Sequence, residues 1–377
     1  MARVKFGDVI REVKVNIDRA TDNHEYYIAG EHMESENIHI SQRGRFEGSD
    51  VGPAFIRLFK PGQILYGSRR TYLKKVAVAD FEGITSNTTF VLESKDENVL
   101  LQGLIPYIML TDDFTDYSIG KSKGSTNPYI LFSDLAEYEF ELPDIFRQKF
   151  LLALLDACDS TKEAYKAQIK ATDDLVKSQF IEMFGLPEKN EHGYEIASIG
   201  DVVCDVHYGT SKKASDDGEY TYLRMNNITY SGELDLSDIK RISVPEKEIS
   251  GCIVKKGDVL FNRTNSRDLV GKTCVFNLNE PMIIAGYIIR LRMNGRVLPE
   301  YLSTFLNLES SKKMLMEMAK GAVGQANINA QEVQSIAIVI PPMEVQLPFQ
   351  RLIEQSDKSK FILQIAIYRD VRGCIHR

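Results

Sequence analysis

The chain has 377 residues, enough for two or three domains that each bury a core, and 43% of them are hydrophobic and 26% charged, as in a globular protein. A net charge of −7 leaves nucleic-acid binding to localised basic patches, if it occurs at all. Met1–Ile10 lacks the apolar core of a signal peptide, and the apolar run Val99–Leu110 is broken by Gln102 and too short to span a bilayer, so a cytoplasmic protein without a membrane segment is expected. Five cysteines (Cys158, Cys204, Cys252, Cys274, Cys374) are odd in number and widely spaced, which argues against a disulfide scaffold or a zinc site and for free thiols in a reducing compartment.

In chain order, the first element is a Gly-Asp turn, Phe6-Gly7-Asp8-Val9-Ile10. Arg57–Lys75 then carries Arg57, Lys60, Arg69, Arg70, Lys74 and Lys75 with no acidic residue. Such a run is either a solvated face or a phosphate contact. Lys75–Val78 is strand-like, Asn98–Leu110 is a helical stretch interrupted by Gly103 and Pro106, and Asp112–Asp116 and Asp134–Glu141 are acidic. Glu137–Pro143 closes the segment as a strand ending on proline. From Asp144 to Phe184 there is neither Gly nor Pro, and Phe150, Leu154, Ala157, Thr161, Ala164, Gln168, Ala171 and Leu175 recur in 3-4 alternation. That spacing predicts a long helix of some 50–60 Å with a heptad seam, stopped by Gly185 and Pro187.

The same order then starts again. Ile199-Gly200-Asp201-Val202-Val203 repeats the opening turn, Tyr222-Leu223 repeats Tyr27-Ile28, and Lys255-Lys256-Gly257-Asp258-Val259-Leu260-Phe261 repeats Lys60-Pro61-Gly62-Gln63-Ile64-Leu65-Tyr66. A second basic run, Lys255–Lys272, contains Arg263 and Arg267. Cys274–Phe276 is strand-like and Pro299–Met318 helical, with proline at its start. Gly324 with Asn327 echoes Gly124 with Asn127, and Ser335–Pro342 closes the unit. Phe349, Ile353, Ser356, Lys360, Leu363 and Ile367 continue as a second heptad helix, its start restricted by Pro348. A repeat near 195–200 residues is a duplicated domain of mixed α+β type, not a solenoid. Each long helix is either an ordinary core helix or half of an antiparallel pair holding the two copies apart.

This combination resembles the DNA-specificity subunit of type I restriction–modification systems. The resemblance rests on two copies that each open on Gly-Asp-Val, carry the Gly-[Gln/Asp]-[Ile/Val]-Leu-[Tyr/Phe] strand, end on proline and lead into a long helix, and it covers nearly the whole chain. Arg263-Thr264-Asn265-Ser266 with Leu269-Val270-Gly271-Lys272-Thr273, and Arg69–Ala77, are similar to stretches of its target-recognition domains. The resemblance implies an α+β fold with two pseudo-repeated target-recognition domains separated by an antiparallel pair of long coiled-coil helices. The corresponding segments are residues 1–142 and 186–342 for the recognition domains, with spacer helices in 143–185 and 343–377. It further implies a non-catalytic subunit that reads a bipartite double-stranded DNA target and docks two adenine methyltransferase subunits and motor-nuclease restriction subunits. S-adenosylmethionine, ATP and magnesium are then expected in those partners and no cofactor in this chain. The second helix is visibly shorter than the first, which favours an alternative, a truncated or silent subunit acting only as an interaction protein.

The motifs that could carry chemistry are fragmentary. Asn127-Pro128-Tyr129 lacks the second proline of the amino-methyltransferase element, Gly271-Lys272-Thr273 ends like a phosphate-binding loop but has Ser266 at the required glycine, and Glu93-Ser94-Lys95 has no accompanying carboxylate. The six histidines have no ligand spacing. A self-contained modification enzyme is therefore disfavoured. For DNA contact, Lys and Arg neutralise phosphates, whereas Arg, Asn and Gln also reach base edges. Arg69, Arg70, Lys74 and Lys75 are the candidates in the first copy, and Arg263, Asn265, Ser266, Arg267 and Lys272 in the second. Gln325, Asn327 and Asn329 lie on a Gly-containing loop that either faces DNA or forms a turn. Phe150, Leu154, Ala157, Ala164, Leu175, Phe349, Ile353 and Leu363 are the partner-binding candidates of the helices.

Overall fold

The computed structural model describes residues 2–18, 24–47, 51–267, 269–319 and 326–375. It divides into two compact units, one drawn from residues 1–163 and 368–377 and the other from 164–367. In the first, the opening strand Ala2–Lys5 runs antiparallel to the closing strand Glu139–Leu142, with Ala2 opposite Leu142. Between them the chain forms two four-stranded sheets. One is ordered Ile10–Glu12, Thr89–Ser94, Ile64–Gly67, Val76–Val78, antiparallel throughout. The other is ordered Gly44–Arg45, Tyr26–Ile28, Gly83–Ser86, Phe55–Phe59, with a parallel pair that sets Tyr27 opposite Ile84.

The second unit repeats this topology strand for strand. Glu195–Ser198 pairs with Ala337–Ile340. Its sheets are ordered Val203–Tyr208, Ile288–Met293, Val259–Asn262, Thr273–Val275, and Lys240–Ile242, Tyr220–Leu223, Met282–Ile284, Ile253–Val254. Here too the second sheet holds a parallel pair, Tyr222 opposite Ile283. The repeated strand motif is buried on both faces. The pleat sends Ile64 and Tyr66 into one core of the first unit and Leu65 into another, as it sends Val259 and Phe261 one way and Leu260 the other. A strand covered on both faces reads as a continuous apolar run, which is why the motif stood out. The fold is α+β, duplicated.

Of the shorter helices, Ile105–Leu110 follows a 3-10 turn and takes Pro106 in its first turn, where a missing N–H costs nothing. The predicted helix from Pro299 breaks into Pro299–Leu306 and Glu309–Met318. Asn307 causes the break: its Nδ2 donates to Ser303 O and to Thr273 O, tying the helix end to the neighbouring strand.

Each unit leads into a long helix, Ile145–Phe184 of 40 residues and Met343–Ile375 of 33. The first is about 60 Å long and stops at Gly185, whose φ of 68° lies in the left-handed region. Near the start of each helix sits a fully buried glutamine, which the sequence pattern did not flag. Gln148 Nε2 donates to Val99 O (2.7 Å) and Pro143 O (2.8 Å), and its Oε1 accepts from Leu101 N (3.0 Å). Gln346 makes the matching set with Pro341 O (2.7 Å), Arg296 O (3.0 Å) and Leu298 N (2.8 Å). A buried amide satisfied on both ends fixes the helix to its unit at a set angle.

Within the second unit the two helices are antiparallel. Phe349 packs its ring 5.5 Å from Phe180 and 5.2 Å from Phe184, while further on Lys360 Nζ lies 2.9 Å from Asp173. Of the second helix's predicted seam, Phe349, Ser356 and Lys360 are buried and Ile353 packs against the core, so that face is the one in contact. The seam predicted for the first helix is not. Phe150, Leu154, Ala157, Ala164 and Leu175 are exposed, Phe150 by 67%. The packed face is instead Gln148, Leu152, Leu155, Asp159, Lys162, Asp173, Val176 and Phe180. It keeps the same 3-4 spacing two positions, or about 200°, around the helix. Buried polar residues disguised it. The cysteines also need one correction: Cys204, Cys252 and Cys274 are free, but Cys158 is disulfide-bonded. The side chain of Cys374 lies outside the described residues.

Candidate nucleic-acid interface

In both units the central strand of the buried sheet runs off its end into the basic segment. In the first, Ser68 follows Gly67, donates its N–H to Thr88 O (3.1 Å) and accepts from Ile130 N (2.9 Å). Arg69 bridges to Tyr129, and Arg70 donates its N–H to Pro128 O at 2.7 Å. Arg70 (φ 51°) and Lys74 (φ 46°) both take left-handed backbone, folding Thr71–Leu73 into a tight 3-10 turn. Two non-glycine residues in that region persist only because the segment is clamped. The clamp is the loop 122–129, closed by two hydrogen bonds between Lys123 and Tyr129 (2.8 and 2.9 Å).

This arrangement sorts the predicted cations. Arg69 and Arg70 are exposed, beside exposed Tyr72, Lys123 and Tyr129. Lys74 is not available, because its ammonium lies between Asp112 (2.8 Å) and Glu36 (3.1 Å). Burial works against its charge, yet those two carboxylates outweigh it and hold its pKa above the ordinary lysine value. Lys75 donates to Gly30 O. Both lysines hold the loop in shape.

In the second unit Arg263 occupies the place of Ser68. Its N–H donates to Tyr287 O (2.9 Å) and its carbonyl accepts from Ile328 N (2.9 Å). Thr264–Asn265 then pairs with Ala326–Asn327, bringing Arg263, Asn265, Ser266, Arg267 and Asn327 onto one rim. The guanidinium of Arg263 lies 4.8 Å over the ring of Tyr208, and its Nε donates to Ile328 O at 3.5 Å. Asn265 Oδ1 accepts from Ser266 N (2.9 Å), and exposed Arg267 donates from Nε to Met316 O (3.4 Å). Lys272 does not reach this rim: it is 8% exposed, its Nζ donates to Met225 O at 2.9 Å, and burial lowers its pKa. Gln325 lies outside the described residues.

Sequence reasoning missed the tyrosines. Tyr72, Tyr129, Tyr208 and Tyr287 are all exposed around the predicted cations. Tyr129 did stand in a noted tripeptide, but as a fragment of a methyltransferase motif. A rim of guanidinium groups, amides and exposed aromatic rings can neutralise phosphates and also meet base edges. The nuclease-like Glu93-Ser94-Lys95 is structural, since Glu93 accepts from Arg11 (2.8 Å) and Gln63 (2.7 Å) and Lys95 donates to Gly7 O.

Among the described residues, His39, Asp159 and Glu163 bring three ligating atoms within 4.8 Å of one another. His39 Nε2 and Asp159 Oδ2 are 2.5 Å apart, a hydrogen-bond distance. The group is a clasp between a loop and the long helix. No helix among the described residues is long and apolar enough to cross a membrane.

Residues 191–364 match the family described as Type I restriction modification DNA specificity domain. The chain is 19% identical over 360 residues to the type I restriction enzyme EcoKI specificity subunit of Escherichia coli (strain K12), covering 87% of this chain and 76% of that protein. It is 29% identical over 112 residues to the EcoDI specificity subunit of Escherichia coli, covering 29% and 24%. The crystal structure of the type I restriction-modification S subunit from M. genitalium aligns over 99% of this chain and 95% of that one, with 14% identity and a TM-score of 0.47. Through residues 191–364 the chain is similar to the type I restriction modification DNA specificity domains, and over most of its length it resembles the EcoKI specificity subunit.

Proposed function

We propose that the chain selects DNA sequence on behalf of catalytic partner subunits, each unit reading one half of a split double-stranded target. One observation carries this reading: the same backbone framework, built twice, ends both times in a rim that combines arginines with exposed tyrosines. The exposed rim cations contact phosphates, and the amides and guanidinium forks beside them meet base edges. The stripe Phe146, Phe150 and Leu154 on the first long helix is exposed, which suits docking of a protein partner. Methylation of adenine with S-adenosylmethionine, and ATP- and magnesium-dependent translocation and cleavage, belong to those partners. The exposed stripe also supports a narrower reading, an interaction protein that binds methyltransferase without directing it. Methylation-sensitive sequencing of the host genome with and without the gene separates the two. Loss of one split methylated motif supports sequence selection, and an unchanged methylome with partner capture in a pull-down selects the narrower reading.

A further inference from the structure

We infer that Arg263 reads a guanine edge in the half-site of the second unit, and that Tyr208 is the positioning residue that aims it. The inference rests on the DNA-recognition reading above. A phosphate contact asks only for a nearby positive charge, and a mobile side chain supplies it. Arg263 instead makes two contacts that restrict its side chain. Its guanidinium lies 4.8 Å over the ring of Tyr208, with Nε directed to Ile328 O at 3.5 Å. The ring is itself anchored, because the Tyr208 hydroxyl accepts the N–H of Ala330 at 2.8 Å. Among the described residues neither terminal amino group of Arg263 has a hydrogen-bond partner, and no carboxylate pairs with it. The result is a planar two-pronged donor stacked on a ring, its prongs without a partner among the described residues. That is the shape complementary to the O6 and N7 acceptors of guanine in the major groove. Stacking removes rotamer freedom in advance, so less entropy is lost when both hydrogen bonds form.

The other copy supports the assignment. At the same backbone position, with the same two main-chain hydrogen bonds, the first unit carries buried Ser68. The scaffold therefore does not need an arginine there. Arg263 is an addition to the second unit's reading surface, where partly exposed Asn265 and exposed Asn327 flank it as further amide readers.

The test uses the full chain purified with its host methyltransferase subunits and a randomised duplex library, with bound sequences selected and counted. If the unsubstituted complex selects no motif, the DNA-recognition reading itself fails. If it selects a split motif, Arg263→Lys, which keeps the charge but loses the fork, should lose preference for guanine at one position of one half by about tenfold or more. The other half should be unchanged. Tyr208→Leu should relax the same position, whereas Tyr208→Phe, which keeps the ring, should retain most of the preference. Circular dichroism melts confirm that each variant is folded. Should Arg263→Lys leave the motif intact, or weaken every sequence evenly, Arg263 is a phosphate contact and the inference is overturned. A selected motif with no guanine in either half overturns it as well.

Discussion

The two units share their backbone and differ at their rims. Inside the matching sheets the second copy even inverts a polar pair. Where Gln63 donates to Glu93 in the first unit (2.7 Å), Arg292 donates to Asp258 in the second (2.8 Å). Each acceptor or donor also holds a turn, since Lys60 N donates to Gln63 Oε1 and Lys255 N to Asp258 Oδ2. The framework demands a hydrogen-bonded link at that site and is indifferent to which strand supplies the charge. At the rim the demand disappears, and side chains diverge freely: Ser68 against Arg263, and exposed Arg69 and Arg70 against a rim built on Thr264–Asn265. Scaffold chemistry is kept between the copies by geometry, whereas reading chemistry is not.

The sharpest break in that symmetry should come from Lys360, which has three carboxylate neighbours: Asp173 (2.9 Å), Glu233 (2.7 Å) and Asp357 (3.2 Å). Lys360→Met leaves these acids without their cation, although Asp173, Glu233 and Asp357 keep contact with solvent. It should destabilise the second unit by about 3 kcal/mol, the low end for a broken buried pair because water can screen the stranded carboxylates, read as a lower urea midpoint with the first unit's transition unmoved. A single unchanged transition would show that the network contributes little.

Next come the two glutamines, where the copies should behave alike. Gln148→Leu and Gln346→Leu each strand buried backbone groups and should each cost about 1–3 kcal/mol. Hydrogen exchange should localise the loss to the substituted unit. Unequal costs would mean that only one helix is held in place this way.

Lys312 gives a pH-dependent difference. Burial, with Lys177 and Lys272 nearby, depresses its pKa to about 7, and its Nζ donates to Gly271 O at 2.7 Å. The unfolded chain titrates this lysine near 10.4, so between about pH 7 and 10 the unfolded state binds more protons and the Lys312 contribution to stability rises with pH. Lys312→Met should remove that slope, and its melting temperature relative to the native chain should be highest at or below pH 7. A difference constant from pH 6 to 10 would place the ammonium in water.

For binding, the rims predict a contrast within the first unit. Arg69→Ala with Arg70→Ala should weaken all DNA sequences similarly and reduce the salt slope by about 0.9 for each phosphate that is no longer neutralised. Lys74→Ala and Lys75→Ala should leave that slope in place, because those side chains are engaged inside the unit. The smallest effect belongs to the clasp between His39 and Asp159, half open to solvent. His39→Ala should cost less than about 1 kcal/mol in a thermal melt.

The duplication was legible because the buried strand motif obeys the pleat and must be apolar on both faces in both copies, as with Ile64-Leu65-Tyr66 and Val259-Leu260-Phe261. Helix ends were legible for local reasons, Gly185 and Pro299 among them. What failed was discrimination between two equally spaced helix faces. Periodicity sees Phe150 and Leu154 as a seam, but the face that packs includes Gln148, Asp159, Lys162 and Asp173, polar residues whose partners come from distant sequence. The rim cations posed the same problem. Nothing local tells Lys74 from Arg70, since Asp112 and Glu36 reach Lys74 only through the tertiary fold. The same holds for Tyr208, which is far from Arg263 in sequence and meets it only in the folded unit.

In each unit the first strand lies alongside the last, Ala2 opposite Leu142 and Glu195 opposite Ile340. Entry and exit points of each unit are therefore adjacent, and everything between them is a closed excursion of the chain. A crossover between two genes at those strands would exchange a whole reader while leaving the junction hydrogen bonds intact, because strand pairing is carried by the main chain and tolerates changes of side chain. If each unit reads DNA as proposed above, such a layout would let a target preference change by one exchange of a whole unit.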